Sequence, residues 1–443
     1  MAKDNIEKYS AGYAAVKPFA MLWHNYFFYR KVIVSGKENI NPDHHLIFAP
    51  NHQNALMDAL AVLFTSSGQP VFLARADIFR RKLIASVLYF LKMLPVFRIR
   101  DGFDSLREND WVFRKTVDVI KNKSGLVILP EGNHSGQRKL RQLKKGICRI
   151  AFQAAADSEF TMEIRIIPVG LEFTNYTRMR QVLTVVYGKP IEVSGFYDSY
   201  KQNPQKAMND LRDRLSYEMK NLMVHIESED DYEAIDELRT IINGRFADDI
   251  VFPKLFRDRA LIDNLNKLKS ASYEKFKHIC DLALKVKEGA IRHKTEYSLL
   301  EKEKHSAPTM LAGTVLLLLF LPVFIYGFLF NVIFLAIPVY SIRNNKDHHF
   351  HSSIKYTVSL LLAMLFLPVF LIFSLIFVKP VWMSLLVFLT VPLSGLFAWS
   401  YWMLFKRIAG GFRIRSLIRS GNNSFIDLRR QFDELLKLVK PLS

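Results

Sequence analysis

Ala49-Pro50-Asn51-His52-Gln53-Asn54-Ala55-Leu56-Met57-Asp58 follows directly on the apolar run at 46–49. The run has the length of a strand, and the polar Asn-His pair ends it, so the reading is a buried strand whose end presents His52. A strand end is where an open α/β sheet places its working groups. A histidine with a carboxylate partner is the pair that deprotonates a hydroxyl. The carboxylate fixes the imidazole tautomer and stabilises the imidazolium that forms. An isolated pair at this spacing is also compatible with an ordinary surface histidine, so the surroundings must decide.

Outward from this motif, short apolar runs recur at 71–74, 126–129, 165–169 and 183–187, with helical patterns at 78–91 and 111–122 between them. Such alternation predicts an α/β fold, a mixed, largely parallel sheet flanked by helices. Residues 204–225 read as one more helix, and Glu227, Glu229, Asp230, Asp231 and Glu233 mark a boundary. Two further segments carry candidate chemistry. In Leu129-Pro130-Glu131-Gly132-Asn133-His134-Ser135 the glycine permits close backbone approach to a ligand. Arg138, Lys139, Arg141, Lys144 and Lys145 follow it and could hold a phosphate by charge-assisted hydrogen bonds. Pro95-Val96-Phe97-Arg98-Ile99-Arg100 sets two cations on alternate positions of an extended segment, hence on one face. For both segments a solvated basic surface is the plainer alternative.

The chain has 443 residues, a formal charge of +19, 50% hydrophobic and 23% charged residues. That mixture predicts a soluble part joined to a membrane part. A basic excess suits nucleic acid, anionic lipid or acidic small substrates, and two long apolar blocks favour lipid over nucleic acid. Cys148 and Cys280 lie outside any Cys-x-x-Cys motif, so neither a disulfide scaffold nor a zinc site is indicated. The first eighteen residues carry Lys3, Asp4, Glu7, Lys8 and Lys17 and no apolar signal core, so the amino-terminal domain is expected in the cytoplasm. Residues 11–36 are rich in aromatics and end in Arg30 and Lys31; they read as a helix lying in the membrane interface or packed on the domain.

Residues 234–305 have the pattern of a helical connector. From 306 to 342 no residue is charged. At about 1.5 Å per residue this run makes roughly 55 Å of helix, against a hydrocarbon core of about 30 Å. A hairpin near Gly327 follows, and with the runs at 356–378 and 381–405 it gives about four transmembrane helices in two hairpins. One tilted or re-entrant element over 306–342 is the alternative. Arg343, Lys346 and Lys355, then Lys406, Arg407, Arg413, Arg415 and Arg419, oppose a lone Lys379, which puts both termini in the cytoplasm. His348, His349 and His351 lack ligand spacing with cysteine or carboxylate, so they read as a solvated loop. The expected layout is an interfacial segment 1–36, a catalytic domain 37–226, a helical connector 227–305, a membrane region 306–405 and a basic cytoplasmic tail 406–443.

Taken in order, the motifs resemble the glycerolipid acyltransferase family, which includes lysophosphatidate and glycerol-3-phosphate acyltransferases. The family's Asn-His…Asp block is matched by Asn51, His52 and Asp58. Its second block ends in a phosphate-binding arginine, for which Arg100 is the better match and Arg98 the reserve. Its Phe-Pro-Glu-Gly-Thr-Arg-Ser block is matched by Pro130, Glu131, Gly132 and Ser135, and a fourth block with a central proline by Ile167-Pro168-Val169. Two departures stand out. Five residues rather than four separate His52 from Asp58, which a bulge or irregular helix start must absorb, and Asn133-His134 replaces Thr-Arg.

The resemblance implies His52 as general base and Asp58 as its orienter. It implies Glu131 and Gly132 on the glycerol moiety with Asn133 and Ser135 beside them, Arg100 or Arg98 on the phosphate, and Lys144 and Lys145 as further substrate-binding cations. The implied reaction moves a fatty acyl chain from acyl-CoA or acyl carrier protein to 1-acylglycerol 3-phosphate, forming phosphatidic acid in phospholipid synthesis. Glycerol 3-phosphate or another lysophospholipid is the alternative acceptor. No cofactor, no metal and no nucleic acid is implied; the partners are membrane lipids, the acyl donor and the acceptor. The protein is expected to be multi-pass, with its catalytic domain on the cytoplasmic side. A thioesterase or lipid hydrolase would want a Gly-x-Ser-x-Gly elbow, and Ser135 sits one position off it. A non-enzymatic lipid-binding membrane protein is the remaining alternative.

Overall fold

The computed structural model describes residues 5–97, 103–301 and 307–442, with the side chains of 103–109 excepted. Two compact units divide the chain, one comprising Met1–His225 with Lys346–Ser353, the other Ile226–Asn345 with Ile354–Ser443.

The first unit opens with α1 (Ala11–Leu22), capped by Ser10, whose Oγ accepts from the Tyr13 amide. A short π-helical turn follows and then β1 (Lys31–Ser35). After it come β2 (His45–Pro50), α2 (Leu56–Thr65), β3 (Val71–Arg75), α3 (Lys82–Phe90), β4 (Met93–Val96), α4 (Phe103–Lys121) and β5 (Leu126–Val127). The unit continues with α5 (Gly146–Ala156), β6 (Ile164–Phe173), β7 (Val182–Tyr187), β8 (Ile191–Glu192), α6 (Tyr197–Gln202) and α7 (Pro204–Lys220). The strands form one sheet in the order β1-β7-β6-β2-β5-β3-β4, with β8 pairing β6. All pairings are parallel except β6–β7 and β6–β8. The sheet is therefore mixed and largely parallel, with helices packed on it. Strands buried on both faces need apolar residues throughout, and β2, β6 and β7 read that way and are almost wholly buried. At Gly170 on β6 a Cβ would fall 2.0 Å from the carbonyl oxygen of Leu222, so only glycine lets that segment lie on the sheet.

The second unit is helical. It holds α8 (Tyr232–Asn243), α9 (Lys254–Ala271) and α10 (Tyr273–Arg292), then α11 (Ala307–Asn331) and α12 (Ile333–Ser341). Most of α13 (His351–Phe377), α14 (Val381–Arg419) and α15 (Asn423–Val439) complete it. Asp258, fully buried, accepts from Arg239 Nη1 at 3.2 Å and Asn243 Nδ2 at 2.9 Å and pairs with Lys254, which ties α8 to α9.

Among the described residues three helical stretches are long and apolar enough to cross a membrane, namely Ala307–Asn331, His348–Phe377 and Val381–Arg419. This corrects the expectation of four spans. Gly327 is not a turn. It sits inside α11 facing α14, where a Cβ would come 2.3 Å from the carbonyl oxygen of Ser394, so the glycine serves close helix approach. The helix breaks instead after Asn331, whose side-chain amide donates to the carbonyls of Gly327 and Val391. The remaining nine residues of α12 make about 14 Å of helix, short of a bilayer.

The two ends of this region also meet. The His293 ring stands edge-on to Phe425 at the start of α15, and Leu428 fills the space beside Gly289.

Candidate active site

β2 ends at Pro50, and its register on β6 is carried one residue further by Asn51. The Asn51 amide donates to the Val169 carbonyl at 3.3 Å, its side-chain Nδ2 donates to the Leu171 carbonyl at 3.1 Å, and its Oδ1 accepts from the Leu171 amide at 2.6 Å. This anchor fixes where His52 leaves the sheet. Asp58 lies in the first turn of α2 and is fully buried, while the His52 side chain keeps 16% exposure. Asp58 Oδ2 accepts from the amides of Gln53 at 2.8 Å and Asn54 at 2.7 Å, and lies 2.9 Å from His52 Nδ1. An acceptor already serving two amides requires the imidazole nitrogen to be the donor. Nδ1 therefore carries the proton, and Nε2 is the basic nitrogen.

The extra residue between His52 and Asp58 is absorbed at Ala55. Its φ of 47° and ψ of −123° belong to the first central position of a type II′ turn, and the Met57 amide closes that turn on the Asn54 carbonyl at 3.0 Å. A non-glycine residue held there is strained. The irregular helix start expected from the spacing is thus a turn that swings Asp58 back under its histidine.

Glu131 is 2% exposed, and its two oxygens serve the backbone. Oε1 accepts from the His52 amide at 2.6 Å and Oε2 from the Arg141 amide at 2.9 Å. Burial pushes its carboxyl up to about 7, against the pull of those two amides. In this geometry Glu131 binds the loop carrying His52 to the loop carrying Arg141.

Gly132, at φ 73°, turns the chain after Glu131, with its amide donating to the Leu129 carbonyl at 3.1 Å. Asn133 is exposed, and Ser135 Oγ accepts from the Gln137 amide at 3.4 Å. The Lys144 amide donates to the Pro130 carbonyl at 2.8 Å, which holds Lys144 beside Gly132, and Lys145 precedes α5. Arg138 is not a free surface cation. It is buried, donates through Nε to Glu172 Oε1 at 2.8 Å and through Nη2 to the Phe173 carbonyl at 2.7 Å, and lies over the Tyr176 ring. Arg98 and Arg100 lie outside the described residues.

His134 stands with its ring centroid 5.4 Å from that of His52. Burial, followed by the neighbouring His52 and His349, pushes its imidazole below the usual value. The motif reading missed this neighbourhood. Phe350 and His349 from the segment at 346–353 pack on His134, and Tyr176 donates its hydroxyl to Gln53 Oε1. The expectation of a solvated loop at 348–351 is corrected: His351, Ser352 and Ser353 are buried, and His349 is half-buried. The only sequence signal is the histidine cluster itself, whose spacing speaks against a metal site and suggests no other role.

The family model described as Acyltransferase matches residues 31–172. Glycerol-3-phosphate O-acyltransferase 2 of Saccharomyces cerevisiae is 27% identical over 129 residues, 29% of this chain and 17% of the relative. The 1-acyl-sn-glycerol-3-phosphate acyltransferase of Borreliella burgdorferi is 28% identical over 153 residues, 34% of this chain and 56% of the relative. The chain thus spans under two thirds of the length of each. The crystal structure of the 1-acyl-sn-glycerophosphate acyltransferase PlsC from Thermotoga maritima aligns with a TM-score of 0.34 at 22% identity, covering 47% of this chain and 79% of that one.

Proposed function

We propose that this chain, which carries an acyltransferase-family domain over residues 31–172, is a membrane-bound O-acyltransferase that esterifies the free hydroxyl of 1-acylglycerol 3-phosphate. The observation that carries the reading is the 2.9 Å bond from His52 Nδ1 to the buried Asp58, which leaves Nε2 as the base. In the reaction, His52 Nε2 takes the hydroxyl proton as the oxygen attacks the thioester carbonyl carbon of acyl-CoA or an acyl carrier protein. The tetrahedral adduct collapses with cleavage of the C–S bond, and the imidazolium returns the proton to the departing sulfur. Asp58 steadies the imidazolium between those two transfers. Arg100 or Arg98 holds the acceptor's phosphate in this reading, and Lys144 and Lys145 add positive charge beside Gly132.

A lipid acceptor is favoured by the long apolar helices and by the catalytic unit's own surface. There Leu83, Ile84 and Val87 are exposed on α3, next to Arg80, Arg81 and Lys82. The cations at Lys406, Arg407, Arg413, Arg415 and Arg419 support a cytoplasmic catalytic side in this reading. The test is full-length protein in detergent, given acyl-CoA and a panel of lysophosphatidate, glycerol 3-phosphate and other lysophospholipids, with the lipid products identified by mass spectrometry. Phosphatidic acid is the expected dominant product, and His52→Ala is expected to abolish it. Acceptor-independent loss of thioester, or full turnover by His52→Ala, would overturn the assignment.

A further inference from the structure

The segment Lys346–Ser353 belongs in space to the catalytic unit, although in sequence it lies between two apolar helices. Four attachments hold it there. The His349 ring lies so close to Gly136 that a Cβ on that glycine would fall 2.1 Å from the ring's Cε1 and Nδ1. The Phe350 ring meets His134 edge-on, with centroids 4.8 Å apart. Ser352 Oγ donates to the carbonyl of Tyr176, whose hydroxyl donates to Gln53, the neighbour of His52. Ser353 Oγ accepts from the Leu56 amide at 3.2 Å, in the helical turn that carries Asp58. A segment serving only to join two helices would run over the surface and would not bury its polar residues against a catalytic motif.

These attachments set three imidazoles in a row. His52 and His134 are 5.4 Å apart by centroid, and His134 and His349 are 5.6 Å apart. The base stands at one end. The other two rings flank the loop where Asn133-His134 replaces the family's Thr-Arg. An imidazole offers at most two donors against the five of a guanidinium, so a second ring beside His134 restores donors that the replacement removed. Lys346, His348 and His351 accompany His349 on the segment, opposed there by Asp347 alone, whose carboxylate accepts from the His349 amide at 3.1 Å. Imidazoles a few ångströms from a base that receives a hydroxyl suit an anion carried a carbon or two from that hydroxyl. A phosphate monoester is such an anion, with several oxygens free to accept charge-assisted bonds.

Resting on the acyltransferase reading, we propose that His134 and His349 together form a subsite for a phosphate monoester of a substrate. Phe350 fixes the His134 ring in it, and Ser352 and Ser353 fix the segment. His349 is then a substrate-positioning residue supplied from between two membrane helices. The phosphate is then the acceptor's headgroup, one carbon from the reacting hydroxyl; the ribose phosphate of a coenzyme A donor lies a whole pantetheine arm from the thioester and serves as the control.

The test compares native, His349→Ala and His349→Gln full-length protein in detergent. KM is measured for lysophosphatidate, for phosphate-free monoacylglycerol, for acyl-CoA and for acyl-pantetheine, which lacks the ribose phosphate. His349→Ala is expected to raise KM for the phosphate-bearing substrate about tenfold, as loss of a hydrogen bond to a charged group does. Its kcat should stay near native, and His349→Gln, which keeps a donor, should recover most of the loss. A rise for lysophosphatidate but not monoacylglycerol supports the subsite; a rise confined to acyl-CoA would overturn it. Unchanged KM values throughout, or a fall in kcat alone, would overturn the subsite. If native protein turned over no acceptor, the function reading would fail by itself. Calorimetric binding of inorganic phosphate would then test the subsite, with equal affinity in native and His349→Ala protein refuting it.

Discussion

Replacing Asp58 by asparagine separates charge from geometry at the base. The asparagine oxygen can occupy the Oδ2 position and keep all three donors, namely His52 Nδ1 and the amides of Gln53 and Asn54. The opposite rotamer would set an NH₂ against those three donors and is excluded. The new NH₂ then falls at the Oδ1 position, which is buried without a hydrogen-bond partner among the described residues, so one unpartnered polar atom replaces another. Fold and tautomer should both survive. What is lost is the negative charge facing the imidazolium. At about 4 Å and an effective dielectric near 20 that attraction is worth about 4 kcal/mol, which corresponds to roughly a thousandfold in rate. The assay follows free thiol released from acyl-CoA in the presence of lysophosphatidate, with thermal unfolding measured in parallel. A kcat within tenfold of native, in protein of unchanged Tm, would refute the assignment of Asp58. Asp58→Ala is the less informative variant, because it strands two buried amides and lowers stability as well.

Other consequences can be measured directly. Glu131→Gln leaves one of the two amides it serves facing an NH₂, and should cost about 1–3 kcal/mol, read as a lower Tm. Because burial raises the Glu131 carboxyl from 4.5 to about 7, the native state holds a proton that the unfolded chain releases earlier. Its contribution is full below the unfolded value and is lost as pH rises through 7. The stability difference between native protein and Glu131→Gln should therefore shrink between pH 5 and 8, by about 3 kcal/mol at most, and a difference independent of pH would refute the shift. Ala55→Gly relieves the positive φ at the start of α2 and should stabilise by about 1 kcal/mol without loss of turnover. A lower Tm in that variant would mean that the strain had been misplaced.

The sheet was legible because its central strands are buried on both faces. β2 and β7 announce themselves as largely apolar runs, β6 as one interrupted by Arg165 and Glu172, and the half-buried β3 as a shorter one; the structure extends each by a residue or more. β1 escaped because Lys31–Ser35 follows an aromatic helical pattern and finds its partner, β7, only some 150 residues later. The spacing of His52 and Asp58 announced an irregular helix start, but not that Ala55 would take a glycine conformation. Arg138 looked like a surface cation because sequence does not reveal Glu172 waiting across the sheet. Gly327 looked like a turn because a residue without a side chain can mark either a reversal or a close helix contact, and α14 decides for the contact. His349 was illegible as a site residue because no periodicity connects it to Gly136, more than 200 positions earlier.

The discontinuity of the catalytic unit has a consequence in time. During synthesis the ribosome releases residues 1–225 first, with the base and its carboxylate already encoded, and then makes about 120 residues before Lys346 emerges. At typical elongation rates that interval is on the order of ten seconds. Throughout it, the segment that packs on His134 and on the turn carrying Asp58 does not yet exist, and it arrives only after the first long apolar helix has been made. On the function proposed above, a nascent chain would stay inactive until that segment has been made.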